Sequence, residues 1–241
     1  MLISPSRADC IIFSDDALVD GSAAFTDAAS KALARCLGDV ALDDLSSYLC
    51  AAADAGLTRI EIVRALLSGV RRNSGSLPAP SVWEHDLGGA IVALSAEELR
   101  AVEKAYTEAY FGTGNVPPAE ASSLLEKPLY RKRWDALPFP VGIMTRRSAD
   151  ELSPALNVLG WHDFPKNRII SSTRSAEGSA IENLCRSMNT KWPFFLLANH
   201  ADLRLAETLG RGDLIAVGHL THADIRFASA ADAIRAILGI I

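Results

Sequence analysis

The chain has 241 residues, 49% hydrophobic and 22% charged, with a formal net charge of −5 at pH 7. At roughly 150 residues per domain this predicts one domain or two, and the composition excludes a disordered chain. The acidic balance argues against a nucleic-acid footprint, which needs a basic face, but leaves small anionic ligands open because a pocket's field is local.

In chain order, the N-terminal Met1 to Arg7 is followed by no apolar stretch of signal-peptide length. The longest apolar runs are about six residues, against the roughly 20 that span a bilayer, so no membrane segment is expected. The four cysteines, Cys10, Cys36, Cys50 and Cys185, lack metal-ligand spacing and read as buried free thiols of a cytoplasmic protein.

Cys10–Phe13 is a short apolar strand ending in Ser14-Asp15-Asp16. About 120 residues of mostly helical pattern follow. Phe25, Ala28, Ala32 and Cys36 fall on one helix face, and so do Ile60, Val63, Leu67 and Val70, closed by Arg71 and Arg72 at the negative end of the helix dipole. Asn73 to Ser81 reads as a mobile loop and Gly114 to Pro118 as a second one. Ser95 with Glu98 makes a capping box; Leu99, Val102, Tyr106 and Tyr110 form a stripe, and Gly112 stands where the helix should stop. Tyr130 to Trp134 carries the one dense basic run and reads as a solvated helix face.

From Val141 strands and helices alternate. Strands are predicted at Val141–Met144, Arg168–Ile170, Phe194–Leu197 and Leu214–Val217, with helices near Ala149–Leu159, Glu177–Met188 and Asp202–Leu209. This alternation implies an α/β fold with a Rossmann-like parallel sheet, in which Cys10–Phe13 lies between Val141–Met144 and Phe194–Leu197. The expected domains are an α/β core of residues 1–20 and 136–241 and an inserted all-helical unit of residues 21–135.

Ligands of such sheets bind beyond the carboxyl ends of the strands. Those ends are Ser14-Asp15-Asp16, Thr145-Arg146-Arg147, Ser171-Ser172-Thr173-Arg174 and Ala198-Asn199-His200-Ala201-Asp202. Hydroxyls, arginines and carboxylates gathered there suit a phosphate ester, although polar residues end many strands. Ser14 and His200 with Asp16 or Asp202 also hold the ingredients of a Ser-His-Asp arrangement, with coincidence the simpler reading. His219 and His222 read as a loop pair, and Trp83, Trp134, Trp161 and Trp192 as core or interface aromatics.

Ile11-Ile12-Phe13-Ser14-Asp15-Asp16-Ala17-Leu18-Val19-Asp20, Ala109-Tyr110-Phe111-Gly112 and Val141-Gly142-Ile143-Met144-Thr145-Arg146-Arg147-Ser148 resemble the haloacid dehalogenase-like (HAD) superfamily. Asn199-His200-Ala201-Asp202-Leu203 supports this more weakly. The subfamily it is similar to is that of phosphoglycolate phosphatase, with a helical cap inserted after the first strand. The resemblance implies a nucleophilic Asp ending that strand and a general-acid Asp two residues later; Ser14 and Asp16 stand at these positions, with the loop one residue short at Ala17. It implies a phosphoryl-binding hydroxyl at Thr145 and a Lys where Gly178 stands, with Arg174 the nearest substitute. It implies magnesium held by an acidic motif of which Asp202 remains, so that Asp16 and Asp202 are the candidate metal ligands and magnesium is expected to bind weakly or not at all.

Asp15 is a candidate displaced nucleophile, but strand alternation would turn it away from the site unless the loop rewinds. With Arg146, Asn199 and His200 it completes the candidate ligand-binding set. The expected function is a non-catalytic or very weakly catalytic phosphatase-like protein that binds a small phosphorylated or anionic ligand or a protein partner. The alternative is a magnesium-dependent phosphomonoester hydrolase with rearranged residues.

Overall fold

The computed structural model describes residues 9–38, 45–73, 75–77, 79, 94–112, 126–173, 178–220 and 223–239. The chain divides into two compact units, residues 1–20 with 127–241, and residues 21–126.

The first unit is built on a sheet of β1 (Cys10–Ser14), β4 (Val141–Thr145), β5 (Ile169–Ser171), β6 (Pro193–Leu197), β7 (Asp213–Val217) and β8 (Ile225–Phe227). Their order is β5-β4-β1-β6-β7-β8, with every pairing parallel. Numbered in sequence within this sheet, the order is 3-2-1-4-5-6, so its direction of growth reverses at β1 and β6. In open parallel sheets ligands bind at such a reversal, beyond the carboxyl ends of the strands. β1 is buried along its whole length, as a central parallel strand covered on both faces must be. Ile11 and Phe13 enter one apolar layer with Leu152, Leu156, Ala233 and Ile237; Cys10 and Ile12 enter the other with Ile181, Leu184, Leu203 and Ala206. The two-residue side-chain period places neighbours on opposite faces. The covering helices are α6 (Ala149–Val158) and α9 (Ala230–Ile237) on the first face, α7 (Gly178–Ser187) and α8 (His200–Glu207) on the second.

Beyond β1 the chain makes a short helical turn, α1 (Asp15–Leu18), and a two-residue strand, β2 (Val19–Asp20), antiparallel to β3 (Lys127–Pro128). This pairing shifts the unit boundary from the expected residue 136 to Lys127. The leucine and tyrosine amides of Leu129 and Tyr130 donate to the Leu18 carbonyl, and the Tyr130 ring packs near Phe13 and Trp161, so residues 127–135 belong with the sheet. The basic run is also not helical: Tyr130 is buried, the Lys132 carbonyl accepts from Trp161 Nε1, and Arg133 pairs with Asp135 and Asp163.

The second unit holds α2 (Ser22–Leu37), α3 (Leu45–Asp54), α4 (Arg59–Arg72) and α5 (Ala96–Phe111) around one apolar core. The expected stripes face that core: Phe25, Ala28 and Ala32 from α2, Val63 and Leu67 from α4, Val102, Tyr106 and Tyr110 from α5. Ser95 and Glu98 form the expected capping box, and Gly112 caps α5 at φ 76°, a left-handed conformation that glycine adopts without strain. The Asn73–Ser81 loop lies partly, and the Gly114–Pro118 loop wholly, outside the described residues, as do Trp83, Arg174 and His222. Trp134, Trp161 and Trp192 pack in or against the apolar layer of the α/β unit. Of the cysteines, Cys10 and Cys185 are buried as expected, while Cys36 is half-buried against the helical core and Cys50 is exposed. No helix among the described residues is long and apolar enough to cross a membrane.

Candidate active site

Four strand ends of the α/β unit converge. Ser14 closes β1 with no solvent exposure, and its Oγ accepts from the Ala198 amide at 3.1 Å. That bond bridges the reversal point of the sheet. Thr145 closes β4; its Oγ1 accepts from the Arg147 amide at 3.0 Å and its carbonyl accepts from Ser172 at 2.9 Å.

Asp15 does not turn away. Ser14 is extended at φ −62° and ψ 136°, but Asp15 already opens α1, so strand alternation stops at the residue where the expectation applied it. Asp15 and Asp16 fill the first turn of α1, whose amides carry partial positive charge. The Asp15 carboxylate, buried, accepts a hydrogen bond from Arg147 Nε. Asp16 remains one-third exposed and accepts from Arg146 Nη2 at 2.6 Å, with Arg147 Nη2 at 3.8 Å from its other oxygen.

Asn199 is the N-cap of α8, its Oδ1 accepting from the Asp202 amide at 2.9 Å. This cap fixes which end of the amide is nitrogen. Nδ2 then donates to Asp202 Oδ2 at 2.8 Å and lies 3.3 Å from Asp16 Oδ2, joining the two remaining candidate metal ligands. Asp202 is fully buried, and its Oδ1 accepts no hydrogen bond among the described residues. Burial pushes its carboxyl up to about 6, while Arg146 and the nearby hydroxyls of Ser14 and Ser172 pull it back. Burial also works against the Arg146 charge, but Asp16, Asp202 and Asp15 outweigh it, and the guanidinium pKa is raised.

The sequence candidates Ser14, Asp15, Asp16, Thr145, Arg146, Asn199 and Asp202 are therefore gathered at one end of the sheet. His200 opens α8 half-buried. Ser14 meets Ala198 and faces Asp202, whereas Arg174 lies outside the described residues. Arg147 and Ser172, named in the sequence only as strand-end residues and not in the site set, join the same cluster. Both immediately follow strand-end candidates or neighbours, and the signal was the Arg146-Arg147 pair itself: once the chain leaves β4, two consecutive side chains can reach the same carboxylate cluster. Gly178 begins α7, where a Cβ would sit 3.2 Å from Thr208 Oγ1. Among the described residues no group of three or more His, Cys, Asp or Glu side chains is arranged to hold a metal ion.

No family model matches the chain, and neither does any curated protein. Solved structures do. A conserved haloacid dehalogenase-like protein of unknown function from Agrobacterium tumefaciens superposes with a TM-score of 0.56 at 16% identity, over 97% of this chain and 99% of that one. A HAD family hydrolase from Deinococcus radiodurans, with bound phosphate and sodium, gives 0.54 at 15%, over 97% and 96%. A beta-phosphoglucomutase from Clostridium difficile gives 0.50 at 13%, over 97% and 98%. The fold is haloacid dehalogenase-like.

Proposed function

We propose that this protein has kept the haloacid dehalogenase-like fold without phosphate-ester hydrolysis through an aspartyl-phosphate, and that its strand-end site holds a small phosphorylated or anionic ligand. The observation that carries this reading is Ser14, at the end of the central strand, with no solvent exposure and its Oγ engaged by the Ala198 amide. A serine hydroxyl attacks only when a base takes its proton and a substrate can reach it. Asp15, the displaced candidate, spends its carboxylate on Arg147. Asp16, in the general-acid position, accepts from both Arg146 and Asn199 on Oδ2, which favours its charged form, whereas a general acid must hold a proton to give.

The ligand class follows from the guanidiniums. Asp16 is the partly exposed carboxylate among the described residues of the cluster, and an oxyanion that displaced it would meet the planar donor fork of Arg146. The phosphate held by the Deinococcus protein of similar fold supports the same class. The inserted helical unit would act as the cap, and the protein would work in the cytoplasm, whose reducing conditions suit its free cysteines.

The test is phosphate release from a panel of phosphomonoesters with magnesium, alongside calorimetry with inorganic phosphate. The expected result is turnover at the background of a Ser14→Ala, Asp16→Asn control, with saturable phosphate binding. Turnover abolished by Asp16→Asn would instead establish the hydrolase reading.

A further inference from the structure

We propose that the Arg146 guanidinium is a built-in cation that takes the place of a divalent metal among Asp16 and Asp202, making this carboxylate cluster metal-independent. The inference concerns the site just described but does not depend on whether it hydrolyses anything.

The first support is position. Arg146 is buried, donates to Asp16 at 2.6 Å, and its charge is stabilised by Asp16, Asp202 and Asp15 together. A buried guanidinium is costly to desolvate and is held only where several carboxylates offset the loss. Three carboxylates face Arg146 and Arg147, so most of the negative charge that would attract a divalent ion is already neutralised.

The second support is donor chemistry. Magnesium needs an octahedron of oxygen lone pairs at about 2.0–2.1 Å and dehydrates reluctantly. Asp16 has a guanidinium near each oxygen. Between Asp16 and Asp202 stands Asn199 Nδ2, which presents N–H groups rather than lone pairs, held in that sense by the α8 cap. The residues present therefore do not fit magnesium. Asp202 Oδ1, buried and without a hydrogen bond among the described residues, is the acceptor that would become available to an ion if Arg146 were removed.

Thermal unfolding of the full-length protein tests this, in chelator and in about 10 mM magnesium chloride against sodium chloride of equal ionic strength. A ligand that binds only the native state raises Tm by mass action, so a millimolar or tighter site would be seen. The wild-type Tm is expected to be the same in magnesium and in the salt control. Arg146→Ala should melt lower in chelator, recover in magnesium or manganese beyond the salt control, and bind either ion at least tenfold more tightly by calorimetry. Arg146→Lys keeps the charge and should gain no such affinity. A magnesium-specific rise in the wild-type Tm overturns the proposal, and this arm decides even where Arg146→Ala fails to fold. A folded Arg146→Ala protein without gained affinity also overturns it. Hydrolysis is read separately by phosphate release, so failure here leaves the proposed function standing.

Discussion

The Arg147 guanidinium and the Asp15 carboxylate form an ion pair whose side chains are 2% and 6% exposed, joining the loop after β4 to the first turn after β1. A buried pair contributes little net stability over an apolar replacement, but removing one partner leaves the other charged and desolvated. Arg147→Ala and Asp15→Ala are each expected to cost about 3–5 kcal/mol in urea unfolding. The double variant should cost clearly less than the sum of the singles, because residues in direct contact are not additive. Additive losses would show that the two charges are not coupled.

Asp202 makes stability depend on pH in a defined direction. Its folded value, raised by burial to about 6, lies above the ordinary 3.8, so the native state binds the proton more tightly than the unfolded one. The group therefore costs nothing at acid pH; its penalty grows as pH rises from 3.8 and is complete once pH passes about 6. Asp202→Asn should remove a penalty on the order of 3 kcal/mol at neutral pH and little at pH about 4. Urea unfolding across that range checks it: a wild-type minus variant difference that does not change with pH rules out Asp202 as its source.

Gly21 begins the helical unit under a close approach. A Cβ there would sit 2.5 Å from Arg59 Nη2 and also clash with Glu126 Oε1, and those two side chains form a buried pair at 2.9 Å that Tyr110 also joins. Arg59 further lies over the rings of Phe25 and Tyr110. Gly21→Ala must push this cluster apart and should cost about 1–3 kcal/mol, as overpacking does. Unfolding at the wild-type midpoint would mean the cluster yields freely.

Under the proposed function, placing an aspartate at Ser14 alone should not produce hydrolysis. Ser14→Asp would bury a further carboxylate facing Asp202, and under the proposed function a cation is still missing where the resemblance implies a lysine at Gly178. Each missing electrostatic group of this kind is worth about a hundred- to a thousand-fold in rate, and groups acting as a unit are not additive. Ser14→Asp is expected to stay at background in phosphate-release assays. Ser14→Asp with Gly178→Lys and Asn199→Asp should do better, provided Thr208, 3.2 Å from the new Cβ, gives way. Robust turnover from the single change would show that the cluster already completes a working site.

The fold was legible because its signals are local. The apolar run at Cys10–Phe13 could be buried only as a central strand, and the strand-helix alternation after Val141 forced parallel crossovers. The capping box at Ser95 and the stop at Gly112 are read within one turn of chain. Less visible were β8, three residues long, and the β2–β3 pair, two residues each, whose partners lie far apart in sequence and carry no periodicity of their own. That long-range pair is also why the unit boundary falls at Lys127 and not at 136.

For the site, the sequence by itself determined which residue types stand at the strand ends: a serine and two aspartates after the first strand, and two arginines after Thr145. Which charge meets which was decided by the tertiary structure. Asp15 joins the cluster because the chain switches from extended to helical at that residue, and Arg146 and Arg147 reach Asp15 and Asp16 because parallel strands 130 residues apart in sequence end side by side. Pairing energies of buried charges depend on distance and desolvation, and both arise only when remote segments pack.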